Sequence, residues 1–194
     1  GPVLEALHGA GVPLSVDTRK PPVMAAALSL GADMINDVAG FGSPDAIDAV
    51  RASSAGLCVM HMQGTPATMQ QRPTYGDVVA DVAGFLAGQR QRLIDAGVQA
   101  DRIVLDPGIG FGKTMEQNVE LLRRIDVLRA LGSPVLIGVS RKSLIGHLTG
   151  RSVDHRLAGS LAGAVAAVAV GAAIVRVHDV AQTRDALAVW AALR

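Results

Sequence analysis

Six short apolar or β-branched runs, each closed by polar residues and followed by a stretch of helical spacing, constrain the fold of this chain most. The runs cover residues 14–17, 34–38, 57–62, 103–106, 135–140 and 173–178. Helical spacing covers residues 21–30, 44–52, 77–96, 115–130, 154–171 and 181–193. Short β-branched runs bounded by turn residues read as strands, and apolar recurrence at three and four residues reads as helix. Prolines at 21, 22 and 44 fall in first helical turns, where no N–H is missed. Gly31, Gly97, Gly132 and Gly171 stand where helix C-caps are expected. Strict alternation of strand and helix implies parallel strands joined by right-handed crossovers, so the class is α/β.

The polar ends select the architecture. An open doubly wound sheet gathers its site residues at one topological switch point, whereas a barrel draws them from nearly all its strands. Here the ends are Asp17, Asn36, His61 with Gln63, Asp106, Ser140 with Lys142, and Arg176 with His178, in chain order. That distribution predicts a TIM (β/α)8 barrel. A complete barrel takes about 250 residues. Six units in 194 residues therefore predict a single barrel domain, residues 1–194, from which the first two β/α units are absent. The opening Gly1-Pro2 falls inside what reads as the tail of a helix over residues 3–9, in keeping with a cut start. Residues 63–76, with Pro66 and Pro73, suit a loop above the barrel mouth.

Bulk numbers exclude several function classes. With 49% hydrophobic and 18% charged residues the chain suits one compact soluble domain. Eighteen basic and seventeen acidic residues leave a net charge of +1 with no long run of one sign, so nucleic acid is not an expected partner. The longest apolar stretch, residues 161–177, falls short of the roughly 20 residues that span a bilayer, and no signal peptide opens the chain. Membrane is therefore not an expected partner either. Cys58 stands alone, which rules out an intrachain disulfide and fits a cytoplasmic location. His8, His147 and His155 have no ligand spacing with one another, leaving a structural zinc site nothing to build on.

Four groups of residues can carry chemistry. Asp17, Asn36 and Asp106 would point into one barrel mouth, offering acceptors and a donor in a plane, as a flat heterocycle with an amino-amide edge requires. Each could instead cap a turn or a helix. The run Asp-Pro-Gly-Ile-Gly-Phe-Gly-Lys from Asp106 to Lys113 has neither dinucleotide nor P-loop spacing; its glycines let backbone approach a ligand, Phe111 offers an apolar face and Lys113 brings a charge. In Gly-Val-Ser-Arg-Lys-Ser, from Gly138, Ser140 could bond a carboxylate and Lys142 could reach over the site, or the segment could simply be a solvated helix start. Arg176 and His178, two residues apart, fall on one side of the last strand and suit a phosphate or diphosphate. The alternative is a salt-bridged arginine within the barrel. Cys58 reads as inert packing, Met60 and Met62 as pocket lining, and His61 stays open between ligand and core.

Taken together, Ser-Val-Asp-Thr at Ser15, Asn-Asp at Asn36, Met-His-Met-Gln-Gly at Met60, the glycine run from Asp106, Ser-Arg-Lys-Ser at Ser140 and Arg-Val-His-Asp at Arg176 make the chain resemble the bacterial dihydropteroate synthase family along essentially its whole length. The resemblance implies condensation of a pterin diphosphate with p-aminobenzoate in folate synthesis. It implies that Asp17, Asn36, Asp106 and Lys142 hold the pterin, with Val38, Met60 and Gly138 lining its slot. Phe111, Ser140 and Lys142 would border p-aminobenzoate, and Arg176 and His178 would bind diphosphate, so Lys142, Arg176 and His178 are the expected catalytic residues. It further implies breakage of the pterin C–O bond largely before the amine attacks, and a magnesium ion whose ligand lies in a segment not seen here, leaving the metal ligands unknown. A homodimer is expected, with the Ala/Gly-rich helices at residues 157–171 and 181–193 as surfaces that could pack closely.

Three rivals differ in chemistry. A corrinoid-linked methyltransferase would share the pterin carboxylates but not release diphosphate. A Schiff-base aldolase would use Lys142 or Lys113. A pterin-binding scaffold would bind without turnover.

Overall fold

The computed structural model describes residues 1–7, 9–65, 68–69 and 73–194. Pro66 and His8, both named above, lie outside the described residues. The strands are β1 (Ser15–Asp17), β2 (Met34–Asp37), β3 (Gly56–Met60), β4 (Ile103–Asp106), β5 (Leu136–Ile137) and β6 (Ile174–Val175). The helices are α1 (Pro2–Leu7), α2 (Pro21–Ser29), α3 (Pro44–Val50), α4 (Val78–Asp95), α5 (Met115–Arg123), α6 (Ile125–Arg129), α7 (Ser143–Thr149), α8 (Leu157–Ala169) and α9 (Val180–Ala192).

All strand pairings are parallel and follow chain order, β1 to β4 in one sheet and β5 with β6 in another. A parallel bridge between Leu105 and Val135 joins the two sheets. A chain-ordered parallel sheet has no reversal point, so right-handed crossovers put every helix on one face. The other face then turns inward, which is the arrangement of a barrel wall, and the fold class is the expected α/β barrel.

Residue parity shows which side is which. Ile35, Leu57, Val59, Ile103, Leu105, Val135 and Ile137 join the large core beneath the helices. Cys58, Val104 and Leu136, one residue out of phase, form a separate small cluster with Met34 and Ile174 against it. That second cluster is the inner layer of the barrel wall. Two residues further along the inner face come Met60, Asp106, Gly138 and Arg176, and Asn36 stands in register with both Asp17 and Cys58. Period-two geometry thus carries the six strand ends to one rim.

Helix ends follow the expected chemistry. Asp77 caps α4 by accepting from the Val79 and Ala80 N–H groups, and Thr114 with Gln117 forms a capping box on α5. Gly97 takes φ of 92° after α4, where Gly97 N–H reaches Ile94 O and Val98 N–H reaches Leu93 O, a Schellman closure. Three expectations need correction. Residues 115–130 form two helices, because Arg124 leaves helical geometry and lets Leu121, Ile125 and Leu128 all bury fully. Residues 154–171 begin as a 3-10 turn and become regular only at Leu157, where Arg156 turns aside to donate to the Arg141 and Arg151 carbonyls. The last two ladders are also shorter than the apolar runs 135–140 and 173–178, whose ends leave the sheet to serve the rim.

Candidate active site

The rim begins with Asp17 and Asn36, neighbours across β1 and β2. Asn36 Nδ2 donates to Asp17 Oδ2 at 2.8 Å, which fixes the amide orientation and leaves Asn36 Oδ1 facing away. Asn36 is 4% exposed, and among the described residues its Oδ1 is the one buried side-chain oxygen or nitrogen without a hydrogen-bond partner. A buried acceptor left unpaired costs about 1–3 kcal/mol. A ligand N–H would relieve that cost.

Asp106, at the tip of β4, is 1% exposed. Its Oδ1 accepts from the Gly108 N–H at 2.7 Å and its Oδ2 accepts from Arg176 Nη2 at 3.2 Å. Burial lifts this carboxyl above its ordinary range, and the Arg176 charge pulls against the lift. The Arg176 guanidinium also lies across Gly138, where a Cβ would come within 3.2 Å of its Nε. Gly138 therefore keeps the space that lets Arg176 reach Asp106. Met60, fully buried beside Asp106, and half-buried Val38 complete this side of the rim.

The loop after β4 is wound tightly, with Gly108, Gly110 and Gly112 all at positive φ. A Cβ on Gly108 would sit 1.9 Å from the His61 carbonyl oxygen, so no other residue fits there. Lys113 does not present its charge to a ligand as expected. It is 4% exposed, and its Nζ donates to the Gly108 and Phe111 carbonyls at 3.1 and 3.0 Å and faces His61 Nδ1 at 3.0 Å. Burial draws this ammonium down to about 7, Asp106 opposing. His61 has the outward parity of β3, stacks edge-on against Phe85 at 5.0 Å, and is held neutral because burial and then Lys113 lower it to about 3. The open question over His61 resolves to core. Cys58 is fully buried and free, and burial raises its thiol.

Beyond β5, Ser140 is buried and meets its neighbour instead of solvent. Its Oγ accepts from the His178 N–H at 3.2 Å and lies 3.0 Å from His178 Nδ1. Lys142 donates to the Ile109 carbonyl and holds its Nζ 4.8 Å from the centre of the half-buried Phe111 ring. Burial lowers Lys142 to about 8, with Asp106 opposing. Arg176 and His178 lie past the end of β6, and each faces a different strand tip, Asp106 and Ser140 respectively. All the expected site positions, Asp17, Asn36, Val38, Met60, Asp106, Phe111, Gly138, Ser140, Lys142, Arg176 and His178, thus belong to strand ends or the loops that follow them on one rim.

Residues 1–178 match the family model described as pterin binding enzyme. The dihydropteroate synthase of Neisseria meningitidis serogroup B is 51% identical over 198 residues, covering 99% of this chain and 70% of that protein. The chain belongs to the dihydropteroate synthase family. Among solved structures, the dihydropteroate synthase of Burkholderia cenocepacia superposes with a TM-score of 0.94 at 53% identity, over 100% of this chain and 75% of that one. The Thermus thermophilus enzyme, solved in complex with 4-aminobenzoate, superposes at 0.95 with 49% identity, over the same shares.

For a dihydropteroate synthase, the residues to which the sequence reading gave no role are those that brace the motifs. Arg141, at φ of 57°, forms a two-pronged ion pair with Asp179 and so ties the loop after β5 to the loop after β6. Asn118 reaches from α5 to accept from the Gly110 N–H at 2.7 Å and to donate to the Thr114 carbonyl. Tyr75 Oη donates to the Gly112 carbonyl at 2.7 Å. Arg141 and Asp179 stand inside the motifs without a role assigned to them, and Asn118 shows in the sequence as a poor helix former three residues inside a helix. The partners of Tyr75 and Arg141 are 37 and 38 residues away.

Proposed function

We propose that this rim binds a pterin diphosphate and p-aminobenzoate and joins them by the dihydropteroate synthase reaction, a transferase step of folate synthesis. The observation that carries the reading is the unpaired, buried Asn36 Oδ1 beside Asp17 and on the same inner face as Asp106. Those acceptors suit the N–H donors of a pterin's amino-amide edge. Met60 and Val38 supply apolar contact with the ring, and Lys142 covers it. At the diphosphate end, Arg176 and His178 meet the charge that grows as the C–O bond breaks, and diphosphate leaves with the bonding electrons. The amine lone pair of p-aminobenzoate then forms the C–N bond and its proton passes to solvent. Lys142 and Phe111 wall that substrate. Ser140, its hydroxyl shared with His178, orients the imidazole and borders the p-aminobenzoate end. This division of labour holds both reactants in line, which is where much of the rate arises. The solved relatives bound to 7,8-dihydropteroate, from Burkholderia cenocepacia, and to 6HMPPP, from Thermus thermophilus, support it. Incubating the protein with 6-hydroxymethyl-7,8-dihydropterin diphosphate and p-aminobenzoate should release one diphosphate per dihydropteroate. Pterin binding without diphosphate release would refute the reading.

Magnesium belongs to the proposal as a companion of the diphosphate, since it usually keeps water and takes phosphate oxygens. Among the described residues no three His, Cys, Asp or Glu side chains gather to hold a metal, so no described residue is assigned to the ion and no step is routed through it. A cytoplasmic location is proposed from the lone reduced Cys58; among the described residues no helix is long and apolar enough to cross a membrane. A homodimer is proposed from α8. Ala158, Ala162, Ala166 and Ala169 make its exposed stripe, and the helix has no charged residue. Ala166→Glu should put a charge into that contact and yield monomers by sedimentation velocity. A dimer unchanged by it would place the interface elsewhere.

A further inference from the structure

We propose that Lys113, with Asn118 behind it, is a positioning residue for the p-aminobenzoate side of the site, because its buried amine holds the backbone of residues 108–113 and through it Phe111 and Lys142. The inference rests on the assignment of Phe111 and Lys142 to that substrate.

An ammonium has three N–H donors. At Lys113 all three find acceptors inside the protein, the Gly108 carbonyl, the Phe111 carbonyl and neutral His61 Nδ1. None is left for a ligand. The segment they hold has little shape of its own, since three of its residues are glycines at positive φ with no side chain to pack. Its course is set instead from outside. Lys113 takes two of its carbonyls, and Asn118 Oδ1 takes the Gly110 N–H at 2.7 Å. Asn118 Nδ2 also donates to the Lys113 carbonyl, so the two braces are joined. Both side chains are 4% exposed.

What this segment offers the site is the Phe111 ring and the Ile109 carbonyl, and Lys142 rests on both. Asp106 is less dependent on the brace, because it stands on β4 and Arg176, outside the segment, holds its carboxylate. The two substrates should therefore respond differently when the brace is removed.

Lys113→Met keeps most of the apolar stem of the side chain and removes its donors; Asn118→Leu removes the second brace without touching the first. Measured by steady-state kinetics on the intact enzyme, each should raise KM for p-aminobenzoate about tenfold, as loss of hydrogen bonds to a charged or buried group would. KM for the pterin diphosphate and kcat should change less, by about threefold, since of the groups assigned to the pterin only Lys142 rests on the braced segment. Phe111→Ala run alongside separates the two claims. If Phe111→Ala raises KM for p-aminobenzoate and neither brace variant does, or if the brace variants raise both KM values equally, the positioning role is overturned. If Phe111→Ala leaves that KM unchanged, the substrate assignment itself fails. Should Lys113→Met not fold, Asn118→Leu decides alone.

Discussion

Replacing Arg176 with methionine should lower kcat by about 10²–10³-fold, the usual cost of deleting a donor aimed at developing transition-state charge. Arg176 faces two ways. One guanidinium nitrogen holds Asp106 Oδ2 at 3.2 Å, and its side chain is 38% exposed, so part of the group is open to a leaving diphosphate. Methionine fills much of the same space over Gly138 but supplies no charge. Asp106 loses its counter-ion and, already lifted by burial, should take up a proton more readily still. Lysine at this position should recover only part of the loss, since a point charge cannot bond carboxylate and diphosphate at fixed angles. Diphosphate release under saturating substrates measures the effect. A loss below about tenfold would mean that Arg176 serves the Asp106 contact alone and that another group takes the diphosphate.

Much of this site is legible in the sequence because strand geometry is rigid. Once the strands are placed, period two fixes which residues face inward, so Asp17, Asn36 and Asp106 read as one set without any distance. The same rule assigns His61 outward only once the register of Met60 with Asp106 is known, so on sequence alone His61 stays open. Lys113 escapes for the opposite reason. A loop built on three glycines has no periodicity, so nothing local tells whether its lysine points to a ligand or curls back onto its own carbonyls. Long-range braces are silent as well: the Arg141–Asp179 pair depends on two loops brought together by parallel neighbours β5 and β6. The break between α5 and α6 hides inside an unbroken helical pattern, where burial of Ile125 outweighs propensity.

Asp106→Asn should leave the protein as stable as before or more so, while reducing turnover by about 100-fold or more through loss of a charged acceptor for the pterin. The two effects have one origin. Burial raises the folded-state pKa of Asp106 above its unfolded value. Its contribution to stability is then fully present below the unfolded pKa and is lost as pH rises through the folded pKa. The higher the pH, the more this side chain is a buried carboxylate where a neutral amide would cost less. The Tm difference between Asp106→Asn and wild type should accordingly be small in acid and grow in favour of the variant toward neutral pH. Asparagine can still accept from the Gly108 N–H, so the turn after β4 should survive, and Arg176, more than a third exposed, can swing to solvent. Circular dichroism melts across that pH range, paired with diphosphate release, test both halves. A variant less stable than wild type at neutral pH would show that the Arg176 pair more than offsets the burial, making Asp106 a structural anchor first. Combining Asp106→Asn with Arg176→Met adds a further check, because groups that act as a unit lose activity together. The double variant should be scarcely slower than the worse single one, whereas fully multiplicative losses would mean that the two residues serve the pterin and the diphosphate independently.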